Sequence, residues 1–210
     1  MIVGFDPGGA GAFGWCVAED SAQLPLAVRA CGIANDAADA VAQAWNTLRA
    51  GEAVASVGID APLFWVAAGD RLVDQAVRTR IVKLGAHGGT VNHVSSMRGA
   101  CLVQGIIAAQ FSRARRAETA ITEAHPKAVL WLLGEATPAQ RPNMIALRSL
   151  SRYFSVGGSR TPSEHERDAA LGALSAWAMR HGAKGWTDIR PMEVKAISPI
   201  AGQLGYWVPS

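Results

Sequence analysis

Short apolar segments that end on a carboxylate are the main pattern in the first half of the chain. Residues 2–6 and 54–60 are almost wholly apolar up to a terminal aspartate, and residues 120–123 end on a glutamate. Apolar runs of roughly four to eight residues, bounded by turn residues, are typical of buried strands. We therefore predict strands in these three segments. Two further strands are predicted over 12–17, after a glycine-rich turn, and over 26–33.

Helical periodicity separates these strands. The spacing of Val41, Trp45 and Leu48 predicts a helix from about 37 to 49. Residues 134–160 are polar and interrupted by proline and glycine, and they give no clear prediction. Strands that alternate with helices indicate an α/β fold, a mixed sheet with helices on both faces. The other predicted helices cover 69–84, 95–116, a short segment around 129–133, and 163–180.

Length and composition favour one soluble domain. We assign residues 1–184 to it and expect the Trp-, Pro- and Gly-rich tail, 185–210, to pack irregularly on its surface. Half of the 210 residues are hydrophobic and 18% are charged, which suits a packed core. Three widely spaced cysteines argue against a disulfide framework or a zinc site. No apolar run resembles a signal peptide or a membrane span, so we expect a cytoplasmic protein without a membrane partner.

Four acids are the candidate functional residues, because an isolated carboxylate at the end of a core strand is costly unless it has a partner or a metal. Each also has a structural interpretation. Asp6 lies in an Asp-Pro-Gly-Gly turn, and Asp60 could cap the next segment. Glu123 could form a surface ion pair, and Asp168 is favoured near a helix start by the helix dipole.

The last predicted helix has the most specific local pattern. Ser163 and Glu166 fit a capping box, which gives Glu166 a structural role. His165 and Asp168 are three residues apart and share a helix face. The alanines, leucines and glycine that follow are small or apolar and would let the helix pack close to the sheet. The four acids could then hold two Mg²⁺ or Mn²⁺ ions about 3.5–4 Å apart, as in phosphoryl chemistry, with His165 moving protons.

These motifs resemble the ribonuclease H-like superfamily, in particular its RuvC-like branch. The opening Gly4-Phe-Asp-Pro-Gly-Gly hairpin and the closing His165-Glu-Arg-Asp-Ala-Ala-Leu-Gly-Ala helix carry this resemblance. The chain is also similar to a bacterial and archaeal family of predicted RNase H-like nucleases in Val57-Gly-Ile-Asp-Ala-Pro-Leu63 and Glu123-Ala-His-Pro126.

The resemblance implies a central five-stranded mixed sheet of order 3-2-1-4-5. It also implies a two-metal nuclease site formed by Asp6, Asp60, Glu123 and Asp168. Two positions depart from the family's pattern. Lys127 stands where an acid usually follows the Glu-x-His-Pro motif, and Gly172 stands where relatives often have a second acid. Both departures are expected to weaken metal binding.

A net charge of +3 permits nucleic acid as a partner. Arginines near the ends of two predicted helices could contact backbone phosphates, although such residues are also common on solvated faces. No base-reading motif is present, so we expect the structure of the nucleic acid to be recognised rather than its sequence. The protein could also form a homodimer. The candidate phosphate-binding residues are Arg78, Arg80, Arg113, Arg115 and Arg116.

Three functions are compatible with these patterns. The first is a Mg²⁺- or Mn²⁺-dependent nuclease that acts on DNA or RNA. The second is a phosphotransferase of the actin-like and sugar-kinase fold, which has a similar Asp-Gly hairpin but needs two such lobes. The third is a degenerate, non-catalytic domain that binds nucleic acid or protein, which the departures at Lys127 and Gly172 favour.

Overall fold

The computed structural model describes residues 1–8, 11–64, 66, 70–91 and 99–210. The strands within these ranges are β1 (Ile2–Asp6), β2 (Phe13–Ala18), β3 (Leu26–Ala34), β4 (Ser56–Ile59), β5 (Ala120–Glu123), β6 (Phe154–Val156), β7 (Trp186–Asp188) and β8 (Leu204–Pro209). The helices are α1 (Ala37–Asn46), α2 (Leu72–Lys83), α3 (Gly99–Arg115), α4 (Pro126–Leu132) and α5 (Glu164–His181).

The strands form one mixed sheet in the order β6-β3-β2-β1-β4-β5-β8-β7. Strands β1, β4, β5 and β8 are parallel to one another, and β2 is antiparallel to both β1 and β3. The predicted α/β class and mixed sheet are confirmed. The predicted five-stranded sheet is wrong, because eight strands are present in the described residues and the full order differs. Strands 3-2-1-4-5 are adjacent in that order, but β6 extends one edge, and β8 and β7 extend the other.

The three additional strands come from segments without a clear strand pattern. Strand β6 lies in the polar segment 134–160, and β7 and β8 lie in the tail, which therefore extends the sheet instead of packing irregularly. The tail is held by main-chain pairing to β5 and by the Trp207 N–H, which donates to Thr122 Oγ1 at 3.1 Å. Pairing with an existing strand edge stabilises such segments, and their own pattern does not predict it.

Helices cover both faces of the sheet, as expected. The core on one face contains residues of α2, α4 and α5, and the core on the other contains residues of α1 and α3. Side chains along β1 alternate between the two faces. Val3 and Phe5 enter the α1/α3 core, while Ile2 and Gly4 face α5. Asp6 continues this second row, so its side chain is directed to the α5 side of the sheet.

Local capping explains where several helices begin. Asp36 accepts a hydrogen bond from the Asp39 N–H at 2.9 Å and starts α1. Pro126 occupies the first turn of α4, where a missing N–H has no cost. The predicted capping box is confirmed, because Ser163 and Glu166 each accept a hydrogen bond from the other's backbone N–H. The start expected for α3 at Ser95 lies outside the described residues. No helix in the described ranges is long and apolar enough to cross a bilayer.

Candidate functional site

Asp6 and Asp60 lie side by side at the carboxyl edge of the sheet. Strands β1 and β4 are parallel neighbours, with Phe5 paired to Ile59. The Asp60 N–H donates to the Phe5 carbonyl oxygen at 2.9 Å, so Asp60 continues the ladder just past the end of β4. Because both strands end at the same edge, two acids that are far apart in sequence meet there.

Helix α5 contacts these strands almost directly, because the strand residues beneath it are glycines. A Cβ atom at Gly4 would lie 1.8 Å from the Ala169 carbonyl oxygen, and one at Gly58 would lie 1.9 Å from that of Gly172. A Cβ atom at Gly14 of β2 would lie 2.3 Å from the His165 carbonyl oxygen. Only glycine permits such an approach of helix backbone to strand backbone. The first two turns of α5 are thereby held over the ends of β1 and β4.

His165 and Asp168 face the strand ends from α5, as their spacing predicted. His165 Nδ1 lies 2.7 Å from Asp6 Oδ2, and this hydrogen bond raises the pKa of His165. Asp168 is buried, and its Oδ1 accepts from Arg167 Nε at 2.8 Å and Nη2 at 2.5 Å. Its other oxygen, Oδ2, lies 4.0 Å from Lys127 Nζ. Burial raises the pKa of Asp168 to about 6 against the opposing charge of Arg167, and the charge of Asp6 adds to the rise.

The Asp60 carboxylate has the weakest compensation at this edge. Its side chain is 26% exposed, and His125 Nδ1 lies 3.8 Å from Oδ1, too far for a hydrogen bond. Burial and the negative charge of Asp6 raise the pKa of Asp60 to about 8, and Asp168 contributes in the same direction. Asp6, Asp60 and Asp168 therefore act on one another electrostatically. We call the group of Asp6, Asp60, His165 and Asp168 the acid edge.

Glu123, the fourth predicted acid, has a different environment. Its side chain is fully buried, and its two oxygens lie 2.6 and 2.9 Å from the Nη atoms of Arg71. The Leu63 N–H donates to the same carboxylate at 2.9 Å. Burial alone would raise the pKa of Glu123, but the charge of Arg71 and the hydrogen bond from His125 lower it to about 2. Glu123 is thus the ionised partner in a buried salt bridge.

His125 lies between Glu123 and Asp60. Its Nε2 is 3.2 Å from Glu123 Oε1, and its Nδ1 is 3.8 Å from Asp60 Oδ1. Both acids therefore approach the same ring, and Glu123 differs from Asp60 in its direct bond to Arg71.

Arg71 binds a second buried carboxylate on its other side. Its Nε and Nη2 donate to the two oxygens of Asp74 at 2.8 and 2.7 Å, and both side chains are fully buried. The guanidinium also packs on Phe64, 4.4 Å from the ring centre. His125 completes the group, with Nε2 3.2 Å from Glu123 Oε1. We call Arg71, Asp74, Glu123 and His125 the Arg71 cluster.

One observation points to a metal at the Arg71 cluster and another points away from it. Donor atoms of Asp74, Glu123 and His125 lie within 4.8 Å of one another, and they are the only such group of three among the described residues. However, both carboxylates already bind the Arg71 guanidinium through four short contacts. A divalent ion would have to displace a fully buried cation, so we interpret Arg71 as the cation of this cluster.

Sequence reasoning missed Arg71 and Asp74. Their i, i+3 spacing is compatible with an ion pair on a helix, but it gives no sign that the pair is buried. His125 was visible as part of the Glu-Ala-His-Pro motif, but its contact with both groups of acids was not.

The five predicted phosphate-binding arginines all make contacts within the chain. Arg78 pairs with Asp70 at 2.9 Å, and Arg80 donates to the Pro209 carbonyl oxygen. Arg113 donates to the Gln203 carbonyl oxygen at 2.7 Å, Arg115 lies over the Trp45 ring, and Arg116 is 3.6 Å from Glu118. The last three precede β5 and lie at the opposite edge of the sheet from Asp6. Their role in phosphate binding stays a prediction.

Comparison of the chain with protein-family models, with curated proteins and with solved structures found no match in any of the three. The function is therefore inferred from the sequence and from the contacts described above.

Proposed function

We propose that this chain is a metal-dependent nuclease of the ribonuclease H-like superfamily that hydrolyses phosphodiester bonds in DNA or RNA. The observation that carries the proposal is the convergence of Asp6, Asp60 and Asp168 from β1, β4 and α5 at one edge of the sheet. Three acids from distant parts of the chain would destabilise one another there without a function that uses them.

The donor set at the acid edge fits a hard divalent cation. Carboxylate oxygens are the preferred ligands of Mg²⁺ and Mn²⁺. Asp6, Asp60 and Asp168 would hold the ion once their side chains turn toward it, because their donor atoms do not all lie within the 4.8 Å that joins Asp74, Glu123 and His125. The charge of the ion would offset the burial and the repulsion by Asp6 that raise the pKa of Asp60. We propose one ion instead of the two expected from the family resemblance, because the oxygens of Glu123 are bound by Arg71.

The surrounding residues suit phosphodiester hydrolysis. The bound ion would supply a Lewis acid for the phosphate oxygens. His165 is hydrogen-bonded to Asp6 at 2.7 Å with 44% of its side chain exposed, so it can exchange a proton with the leaving oxygen and with solvent. Lys127 Nζ, 4.0 Å from Asp168, places a positive charge beside the same edge. Lys127, an unusual residue for the family, would thus favour an anionic substrate.

Cleavage of labelled DNA and RNA substrates in Mg²⁺ or Mn²⁺ tests the proposal. We expect Asp6→Asn to lower the rate by about 100-fold or more, as for the loss of a metal ligand. Asp20→Asn is a matched control, because the Asp20 side chain is 22% exposed and paired with His181 away from the acid edge. Cleavage that survives in Asp6→Asn, or that falls equally in Asp20→Asn, would exclude this mechanism.

Metal binding can be measured without any substrate. Titration calorimetry with Mn²⁺ should give about one ion per chain, with binding lost in Asp60→Asn and retained in Asp20→Asn. A measured stoichiometry of two ions per chain would instead favour the two-metal site that includes Glu123 as a ligand.

A non-catalytic nucleic-acid-binding domain is the second candidate. The observation in its favour is that Arg167 and Lys127 already supply positive charge to Asp168. Oligonucleotide binding without Mn²⁺ binding and without cleavage would support this alternative.

A further inference from the structure

A cavity of about 800 Å³ lies beside the acid edge. Its walls come from the 3₁₀ turn Gly88–Thr90, from α4, from the turn Pro142–Met144 and from the start of α5. We call it the basic cleft and define it by six of its lining residues, His87, Thr90, Lys127, Trp131, Arg141 and Asn143.

Lys127 connects the basic cleft to the acid edge. Its Nζ lies 3.1 Å from Glu164 Oε1 and 4.0 Å from Asp168 Oδ2. Glu164 also lines the cleft, and Asp168 is one turn further along α5. A strand with a phosphodiester at Asp168 would therefore bring its neighbouring phosphate to the cleft.

The charge of the cleft suits an anion. Arg141 is exposed, and no ion pair, side-chain hydrogen bond or ring contact links it to a described residue. Each of the five arginines discussed above makes at least one such contact. His87 Nδ1 accepts a hydrogen bond from the Gly89 N–H at 3.0 Å, so the proton of the ring lies on Nε2 and can be donated to a ligand. Glu164 is the acid among the lining residues, and it is already paired with Lys127 and with Arg167. The cleft is thus lined by two cationic side chains, a histidine that can donate a hydrogen bond, and one carboxylate that is already paired.

We propose that the basic cleft binds the backbone phosphate that flanks the scissile phosphodiester of a polynucleotide strand, with Lys127 and Arg141 as the principal contacts. This inference rests on the proposed nuclease function. It assigns substrate binding to the carboxyl edge of the sheet, next to Asp168, and not to the arginines at the end of α3. Phosphate contacts of this kind position a strand and do not read its sequence.

Fluorescence anisotropy with a labelled single-stranded oligonucleotide, in EDTA to prevent cleavage, tests the proposal. We expect Arg141→Gln and Lys127→Gln each to weaken binding by about 3- to 10-fold at low salt. Each should also reduce the slope of log affinity against log salt by about 0.7, the value for one lost contact on a single strand. Arg141→Lys should retain most of the affinity, because the positive charge is kept.

Arg116→Gln is the matched control, because Arg116 is a partly exposed arginine with a weak ion pair at the opposite edge. Its affinity and salt slope should equal those of the unaltered chain. Thermal melting of each variant shows whether it is folded.

The outcomes separate this inference from the proposed function. If cleavage depends on Asp6 but oligonucleotide binding is unchanged in Arg141→Gln, only the proposal for the basic cleft would be overturned. Binding that falls in Arg141→Gln but without Asp6-dependent cleavage would support the cleft and overturn the nuclease. An effect of Arg116→Gln that is equal to or larger than that of Arg141→Gln would place the phosphates at the end of α3. No binding of the oligonucleotide to the unaltered chain would also overturn the cleft.

Discussion

The acid edge and the Arg71 cluster are adjacent groups of carboxylates with opposite electrostatic designs. In the Arg71 cluster a permanent cation touches both acids, and the pKa of Glu123 is lowered to about 2. At the acid edge no cation in the described part of the chain forms a hydrogen bond with Asp60, and its pKa is raised to about 8. Compensation is not uniform within either group, because burial raises the pKa of Asp74 despite its bond to Arg71, and Asp168 accepts two hydrogen bonds from Arg167. Asp60 is therefore the acid that distinguishes the acid edge from the Arg71 cluster.

Replacing one side chain should also affect the stability of the chain differently in the two groups. A compensated buried ion pair leaves an uncompensated charge when one partner is lost. An uncompensated acid, in contrast, lowers stability while it is present, so that its neutralisation is favourable. The first two of the three predictions below test this difference, and the third tests the packing that positions the acid edge.

The largest expected effect is at Arg71. Arg71→Met would leave Asp74 and Glu123 buried without a cation, and it should lower the free energy of unfolding by about 3–5 kcal/mol in urea denaturation. Arg78→Met is the matched control, because the Arg78–Asp70 pair is partly exposed. We expect the control to lose less than about 1 kcal/mol. Equal losses in the two variants would remove the distinction between the clusters.

A smaller effect of opposite sign is expected at Asp60. Its pKa is raised from 3.8 to about 8, so the protonated Asp60 side chain favours the folded state at low pH. This contribution to the free energy of unfolding falls as the pH rises from 3.8 and is lost above about 8. Asp60→Asn removes the charge. In the absence of metal, the Asp60→Asn substitution should increase the free energy of unfolding by about 2–3 kcal/mol near pH 9, and by less near pH 5.

Urea denaturation in EDTA at the two pH values measures this difference. Glu123→Gln provides the contrast, because the same carboxylate-to-amide change there should destabilise the chain at both pH values. Saturating Mn²⁺ should stabilise the unaltered chain but not Asp60→Asn. A destabilised Asp60→Asn near pH 9 would contradict our interpretation of the acid edge.

The smallest expected effect concerns the packing that holds α5 over the acid edge. A Cβ atom at Gly58 would collide with the Gly172 carbonyl oxygen, so Gly58→Ala should displace α5 and lower stability by about 1–3 kcal/mol. Mn²⁺ affinity should fall with it. Gly157→Ala is the control, because a Cβ atom there would meet nothing within 4 Å. A Gly58→Ala variant that keeps full Mn²⁺ affinity would show that this contact does not position Asp168.

Much of the fold could be predicted from local patterns. The strands at 2–6 and 120–123, the hairpin after Asp6 and the Ser163 capping box follow from apolar runs, turn residues and a cap, which are all short-range signals. Strands β6, β7 and β8 could not be predicted, because they are stabilised by pairing with the edges of a sheet formed by other segments. The positions of the acids at strand ends were visible, but their counter-charges were not.

The sequence by itself determined which carboxylates follow buried strands, and that His165 and Asp168 share one face of a helix, because alternation and helical spacing are properties of neighbouring residues. Only the tertiary structure decided which of those acids are compensated. Arg71 is 52 residues from Glu123 in the chain, and the two side chains meet only once β5 and the start of α2 are packed together. Electrostatic compensation depends on distance in space, and no local pattern encodes that distance.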